Sequence, residues 1–147
     1  MKIDIKDRKI INVLLDNSRL SCRQIAKKTN LNIVTVINRI RKLEKEEIIK
    51  KFTISLDYSK LGYDFPVMID ARVLKGKEIE IGKRINNHPN IFSVYDITGD
   101  YDLNILARFK TRKQLDDFIK ELPRREAIVR TNTKLIIGTI KEGNIKI

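Results

Sequence analysis

A row of cationic and amide side chains lies between residues 32 and 42, where the sequence is typical of one helix. The positions expected to face outward are Val34, Thr35, Asn38, Arg39, Arg41 and Lys42. In DNA-binding proteins lysine and arginine contact phosphate, arginine and asparagine hydrogen-bond base edges, and an apolar side chain contacts the thymine methyl group. This face therefore predicts insertion into the major groove of duplex DNA. A solvated helix surface is the plain alternative for such a charge run.

Shorter helical patterns precede this face and would hold it in place. The inner stripe of the cationic helix, which we expect to end near residue 47, consists of Val36, Ile40 and Leu43. Residues 4–16 predict a first helix, and a capping box at Ser21–Gln24 opens a second one. Thr29–Leu31 is a connection of the length that a helix-turn-helix uses. The predicted DNA-facing set also includes Ser21, Arg23 and the N-cap residue Asn32.

Positive charge is concentrated in the same part of the chain. The protein has 31 Lys and Arg against 19 Asp and Glu, which gives a net charge of +12. Residues 1–60 hold 15 basic and 7 acidic side chains, hence +8, whereas residues 61–147 hold 16 and 12, hence +4. This asymmetry favours a polyanionic partner for the first part. Further candidates for phosphate contacts are Lys27, Lys28, Lys50 and Lys51.

The cysteine content and the apolar runs of the sequence also indicate a cellular compartment. Cys22 is the only cysteine, so an intrachain disulfide is impossible and a reducing compartment is expected. No apolar run approaches the roughly 18 residues of a membrane span, and the first nine residues lack the apolar core of a signal peptide. We expect a soluble, cytoplasmic protein that associates with the nucleoid and not with a membrane.

Residues typical of catalysis or metal binding are sparse. His88 is the only histidine, and it has no companion ligands at a metal-binding spacing. It is also far in sequence from any nucleophile that it could activate. The segment 76–84 resembles a phosphate-binding loop, but five residues separate its glycines and Arg84 stands where Ser or Thr would hold magnesium. We predict no enzyme, no metal site and no cofactor.

The apolar period changes after the cationic helix. Residues 48–56 alternate and predict a strand or a short basic wing, and residues 57–62 predict a linker. Strands are then expected at 65–74, 91–98, 103–109 and 128–140, and helices at 77–87 and 111–122. With right-handed crossovers this order gives a four-stranded antiparallel sheet with both helices on one face, the ferredoxin-like βαββαβ arrangement. The predicted fold is α+β, with domains at 1–56 and 63–147.

Several predicted strands carry apolar residues on both faces. Met68 and Leu74 lie opposite Val67 and Ile69, and Leu106 faces away from its apolar neighbour in the third strand. Two helices cannot cover both sides of a sheet, so one apolar face needs a partner. We infer a homodimer through that face.

The whole chain resembles the Lrp/AsnC family of prokaryotic transcription regulators, of the archaeal type. The resemblance is carried by Asp7–Leu15, Thr35–Glu44, Glu47–Ile49 and, most specifically, Thr98–Leu103. One departure is Asn32-Ile33 at the start of the cationic helix, where the family often has Ser-Pro. Family base contacts at these two positions are therefore not carried over.

This resemblance implies a sequence-specific regulator that binds DNA through paired helix-turn-helix units and assembles as homodimers and octamers. It also implies an amino-acid effector at interfaces of the sheet domain, where a Gly-x-x-Asp turn lines the pocket. Glycine lets backbone N–H groups approach a carboxylate, and an acidic side chain holds an ammonium group. The matching residues are Gly99, Asp100, Tyr101 and Asp102, with Thr131 and Thr133 as weaker candidates. A hairpin turn without a ligand is the alternative, and the basal transcription machinery is a further candidate partner.

Two other functions remain open at this stage. The same basic face suits an architectural protein that compacts DNA with little sequence preference, which would give a specificity ratio near one. A small ferredoxin-like enzyme or amino-acid-binding module with an incidental basic extension is the third possibility. Binding of an amino acid without any affinity for duplex DNA would indicate that module.

Overall fold

The computed structural model describes residues 3–122 and 127–147. The described chain forms two compact units that divide between Ser55 and Leu56, and the tail Lys141–Ile147 groups with the first unit. The division expected from the sequence, with domains at 1–56 and 63–147, stays a prediction. None of the described helices is long and apolar enough to cross a membrane.

Three helices form the first unit: α1 (Ile5–Asp16), α2 (Cys22–Thr29) and α3 (Ile33–Lys45). Ser21 and Gln24 form the predicted capping box, in which each side chain accepts a hydrogen bond from the backbone N–H of the other. Asn30 ends α2 in the left-handed conformation, with φ of 55°, and so redirects the chain into α3. The buried core of the unit consists of Ile10, Leu14, Ile25, Ala26 and Val36. The predicted helix-turn-helix is confirmed.

The segment after α3 differs from the sequence expectation in where the helix ends and in the strand expected as one alternative for residues 48–56. The helix ends at Lys45 rather than near residue 47, because Glu47 takes a left-handed φ of 55° that an L-residue cannot propagate. Residues 48–56 form no strand, although Phe52, Ile54 and Leu56 alternate with polar residues. A strand requires backbone partners, and no segment within the described ranges pairs with this one. Its apolar side chains consequently remain exposed.

The second unit is an antiparallel sheet with two helices. Its strands are β1 (Phe65–Val73), β2 (Ile91–Asp96), β3 (Leu103–Phe109) and β4 (Ile128–Leu135), in the spatial order β2-β3-β1-β4. Helix α4 (Glu78–Ile85) connects β1 to β2, and α5 (Arg112–Glu121) follows β3. A single turn of 3₁₀ helix, Ser59–Leu61, precedes the sheet. This order is the βαββαβ arrangement that the sequence predicts.

The last strand is shorter than predicted. It pairs with β1 from Ile128 to Leu135, whereas the sequence predicts a strand that continues to residue 140. Leu135 pairs with Val67, and the Ile136 N–H donates to the carbonyl oxygen of Pro66 at 2.9 Å. Because β1 begins at Phe65, residues 137–140 have no neighbouring strand to pair with and leave the sheet.

One face of the sheet is apolar and fully buried under the helices. Alternate residues of the two central strands form its centre, and all of these side chains are buried: Val67, Ile69, Ala71, Val73, Leu103, Ile105, Ala107 and Phe109. Helix residues such as Ile81, Ile85, Leu115 and Phe118 complete this core. The packing places the core between sheet and helices, as the strand alternation predicts.

The opposite face, here called the open face, is more polar than the sequence suggests. Met68 and Leu106 lie there half-buried, but Leu74 follows the end of β1 and is exposed. At its centre the Asp70 carboxylate, 7% exposed, accepts hydrogen bonds from Asn104 at 2.7 Å and from Lys134. Burial by itself raises the pKa of Asp70, but the bonds from Lys134 and Asn104 outweigh it, so this pKa lies below its ordinary value.

Candidate nucleic-acid interface and ligand turn

Most of the predicted DNA-facing residues of α3 are exposed. Asn38, Arg41 and Lys42 lie on the solvent side of the helix, and Val34 is 59% exposed beside them. Thr35 is only half-buried against the unit. The face therefore offers an apolar group, an amide and two cations within three helical turns, which suits base edges and phosphate together.

Two residues of the predicted set have capping roles. The Asn32 side-chain oxygen accepts a hydrogen bond from the Val34 N–H at 2.8 Å, and the Ser21 hydroxyl accepts one from the Gln24 N–H at 3.3 Å. Each satisfies a backbone N–H that the first turn of a helix would otherwise leave without a partner. Both side chains are exposed, so they fix the starts of α2 and α3 at the surface of the unit.

Arg39 does not face outward as predicted. Its Nη1 donates to both carboxylate oxygens of Asp4, at 2.8 and 2.7 Å, and to Asp7 Oδ1 at 2.8 Å. Asp4 caps α1 and exchanges backbone–side-chain bonds with Asp7. The guanidinium therefore ties the middle of α3 to the start of α1. These three residues are called the Arg39 clamp below.

Electrostatics explain why the arginine turns inward. Asp7 is buried, and its side chain is only 6% exposed, so a cation beside it offsets the cost of removing its charge from water. Hydrogen bonds from the backbone N–H of Asp7 and from Arg39 lower the pKa of Asp4 from 3.8 to about 2. Hydrogen bonds to Asp4 and Asp7 in turn raise the pKa of Arg39. The signal available in the sequence was the Asp-x-x-Asp spacing at the start of α1, whose buried second acid needs a cation.

A broader basic surface surrounds the α3 face. The four lysines predicted to contact phosphate, and Arg23 of the predicted DNA-facing set, are exposed, and none has an ion-pair partner within the described ranges: Arg23, Lys27, Lys28, Lys50 and Lys51. Lys27 and Lys28 lie in the last turn of α2, where cations also complement the helix dipole. Charges without acidic partners remain available to a polyanion, and neutralisation of phosphate by them would make binding depend on salt.

The predicted ligand turn, Gly99–Asp102, lies in the connection of residues 97–102 that joins β2 to β3. Gly99 has a φ of 116°, which favours glycine, and Asp100 is exposed. Asp102 has a structural role instead of a free carboxylate: its Oδ2 accepts a hydrogen bond from the Val73 N–H at 2.8 Å. The β1–β3 ladder ends at the Ala71–Leu103 pair, and this carboxylate replaces the acceptor that a longer ladder would give Val73.

The other predicted effector residues lie around the same end of the sheet. Thr131 pairs with Ala71, whose carbonyl oxygen accepts from the Asp102 N–H at 3.1 Å, so the turn and Thr131 flank one residue of β1. Thr133 lies two residues further along β4, opposite Ile69. The Tyr101 ring is half-exposed, and the guanidinium carbon of Arg130 lies 5.8 Å from its centroid.

A groove of about 310 Å³ lies beside the base of this turn. Asp96 and Leu103, which flank the turn in sequence, form one side of the groove, and residues of α4 including Lys83 and Asn86 form the other. None of the four predicted residues from Gly99 to Asp102 lines it. Lys83 lies in the segment that resembles a phosphate-binding loop, and neither it nor Asn86 was predicted as an effector contact, because single polar residues on an amphipathic helix give no signal of their own.

His88 lies half-buried against aromatic residues of the core of the second unit. Its ring centroid is 4.7 Å from that of Phe118, and its Nδ1 accepts a hydrogen bond from the Asn90 N–H at 3.2 Å. Among the described residues no three His, Cys, Asp or Glu side chains are grouped so that they could hold a metal ion.

Comparison with known proteins agrees with this geometry. Residues 3–50 match a family model described as winged helix-turn-helix DNA-binding, and residues 67–145 match one described as the Lrp/AsnC ligand binding domain. The chain belongs to the Lrp/AsnC family. It is therefore an HTH-type transcription regulator with a ligand-binding domain, and the resemblance noted in the sequence is confirmed.

Individual relatives of this Lrp/AsnC regulator span nearly the whole chain. An uncharacterised HTH-type transcriptional regulator of Pyrococcus furiosus is 41% identical over 97% of this chain and 96% of its own. The HTH-type transcriptional regulator FL11 of Pyrococcus horikoshii is 35% identical over 95% and 93%. Among solved structures, Bacillus subtilis LrpC has a TM-score of 0.86 at 30% identity, covering 96% of this chain and 99% of LrpC.

A more distant structure shares the fold of this Lrp/AsnC chain. A Neisseria meningitidis transcriptional regulator, solved as a complex with L-Met, has a TM-score of 0.87 at 19% identity and covers 97% of this chain and 94% of its own. At that identity the likeness concerns the fold. Both units of the Lrp/AsnC chain therefore have counterparts of the same architecture across distant sequences.

Proposed function

We propose that this Lrp/AsnC regulator binds specific DNA sequences by inserting α3 into the major groove. The observation that supports this most is the exposed face of Asn38, Arg41 and Lys42. Its two cations, Arg41 and Lys42, have no ion-pair partner within the described residues. Val34 supplies an apolar contact beside them. Arg39 has no direct role in this proposal, since the clamp occupies its guanidinium.

We further propose that the protein acts as a homodimer paired through the open face, with octamers as the larger assembly. Met68 and Leu106 lie half-buried on that face, and a second copy would cover them. Two recognition helices in a two-fold dimer fit half-sites about 34–36 Å apart, or a multiple of that spacing. The predicted operator is therefore roughly palindromic.

An amino acid is the proposed effector, and the turn after β2 is its proposed site. Support comes from the match to a ligand-binding domain and from the L-Met complex of the Neisseria regulator. In this proposal the exposed Asp100 carboxylate holds the ammonium group and the backbone around Gly99 approaches the carboxylate. Asp102 holds the turn in shape and does not contact the ligand.

The cellular setting follows from these partners. A DNA-binding regulator would act in the cytoplasm at the nucleoid, where the basal transcription machinery is a further proposed partner. Its activity would consist of binding and assembly, without a catalytic step.

A second candidate function is compaction of DNA without sequence preference. The observation in its favour is the surrounding set of exposed cations on α2 and after α3, which would contact phosphates of any sequence. The two functions differ in specificity ratio, which is near one for compaction and about 10³ or more for a sequence-specific regulator.

Selection of bound duplexes from a random pool, with and without added amino acids, tests the proposal. We expect a recurrent palindromic motif for the wild type. Arg41→Ala and Lys42→Ala should weaken binding to the selected site, while Lys75→Ala, which removes one charge from the second unit, should not. Selection that returns no motif would support compaction, and equal binding by all three variants would exclude α3 as the recognition helix.

A further inference from the structure

We propose that the outer face of α1 is a docking surface for the protein's own tail, residues 141–147, and that the docked tail restrains the DNA-binding unit. The proposal concerns contacts within the first unit, to which the tail belongs. It does not depend on DNA or effector binding, so it can fail or succeed independently of the proposed function.

The tail is held by groups that recognise its backbone and one charge. The Asn12 side chain donates to the backbone oxygen of Ile147 and accepts from the Ile147 N–H at 2.9 Å. Such a reciprocal pair copies the way in which one strand recognises another. Lys146 Nζ lies 2.8 Å from Asp16 Oδ1. Since Asn12 and Asp16 are four residues apart, both lie on one face of α1.

The first unit is connected to the rest of the chain at two points when the tail is docked on α1. The chain leaves the first unit between Ser55 and Leu56 and returns to it after Ile140. A unit joined to the rest of the protein by one connection is free to reorient, whereas a second attachment limits that freedom. The docked tail supplies the second attachment, on the helix that the Arg39 clamp joins to α3.

The attachment is suited to reversible opening. Ile137, Ile140 and Ile145 are almost fully exposed, at 98%, 104% and 84%, so they add little apolar burial to the docked tail. The contacts that hold it are hydrogen bonds and one exposed ion pair, each of modest net stability, and docking must order the tail backbone. Loss of a single contact should therefore release it.

Distance measurement between two spin labels tests the restraint. The labels are placed at Lys45→Cys in the first unit and Lys75→Cys in the second, in a Cys22→Ser chain. Labelled chain is mixed with excess unlabelled chain so that distances within one chain dominate. We expect a narrow distance distribution that broadens in the Asn12→Ala/Lys146→Ala variant.

A matched control variant loses the same two kinds of side-chain group at positions outside the contact with α1. Asn144→Ala/Lys141→Ala also removes one amide and one ammonium group, from tail positions without hydrogen bonds to α1 in the described chain, and it should leave the distribution narrow. Equal distributions for the two double variants would overturn the restraint. So would a broad distribution in the unsubstituted parent.

Two further measurements separate docking from its alternatives. Hydrogen exchange at the Ile147 amide should be at least about fivefold faster in Asn12→Ala, because both hydrogen bonds between Asn12 and Ile147 are lost. An unchanged rate would overturn the contact. Dilution of labelled chain into excess chain ending at Ile140 should leave the distribution narrow. Broadening there would show that the tail comes from a second copy, which would overturn docking within one chain.

Discussion

Replacement of Arg39 by alanine should destabilise the first unit without removing a phosphate contact. The variant leaves the Asp7 carboxylate, whose side chain is 6% exposed, without the cation that lies 2.8 Å away. A hydrogen bond between charged groups contributes about 1.5–3 kcal/mol, and the partial exposure of Arg39 places this one near 2 kcal/mol. For a unit of about 60 residues this corresponds to a fall in Tm of about 10 °C.

The assay combines thermal unfolding with the salt dependence of duplex binding. Loss of a phosphate contact lowers the slope of log K against log salt by about 0.9, and loss of the clamp should leave it unchanged at temperatures where the variant is folded. Arg41→Ala is the matched control: its slope should fall by about 0.9 while its Tm stays the same. Coupling between Arg39→Ala and Asp7→Ala, measured in a double-mutant cycle, should be at least about 1 kcal/mol.

One result would refute the reasoning. If Arg39→Ala kept the wild-type Tm and lost about 0.9 of the salt slope, Arg39 would be a phosphate ligand and the clamp would have no energetic role. A cycle with additive effects would point the same way, because a shared ion pair cannot give independent losses.

Further predictions concern acid stability, the turn and the open face. The pKa of Asp4 is about 2 in the folded chain against 3.8 ordinarily, so its stabilising effect is complete above about pH 4 and is lost as the pH falls towards 2. Acid titration of Arg39→Ala should show a smaller component of this kind, because the hydrogen bond from the Asp7 backbone N–H remains and only the bond from Arg39 is lost. Asp102→Ala should cost about 1–2 kcal/mol in urea unfolding, because Val73 loses its acceptor, whereas Asp100→Ala should keep stability and lose any ligand response measured by calorimetry. Lys134→Met should raise the pKa of Asp70, measured by carboxylate NMR titration; an unchanged pKa would contradict the pairing.

Local features of this fold were predictable because their causes lie within a few residues. The Ser21 capping box, the Asn32 N-cap and the left-handed Asn30 each depend on neighbours at most three positions away. The strand alternation likewise identified the buried face of the sheet, since side chains of successive residues point to opposite sides. Both units were therefore recognisable before their packing was known.

Features that depend on distant partners were not predictable from pattern. Arg39 meets acids 32 and 35 residues away, and nothing in its own helix distinguishes it from the exposed Arg41. The alternation at 48–56 predicted a strand, but a ladder also requires a partner segment, which pattern does not supply. The end of β4 was set by the first residue of β1, and the role of Asp102 by the end of the β1–β3 ladder.

The clamp also bears on how regulators of this kind diverge. The acids at 4 and 7 and the arginine at 39 are useful only as a set, so a change at one of them alone is disadvantageous. Asn38 and Arg41 precede and follow Arg39 on the same helix. They are exposed and take no part in the clamp. After gene duplication, substitutions at those neighbours could therefore change the operator that the protein recognises, while α3 keeps its packing position against α1.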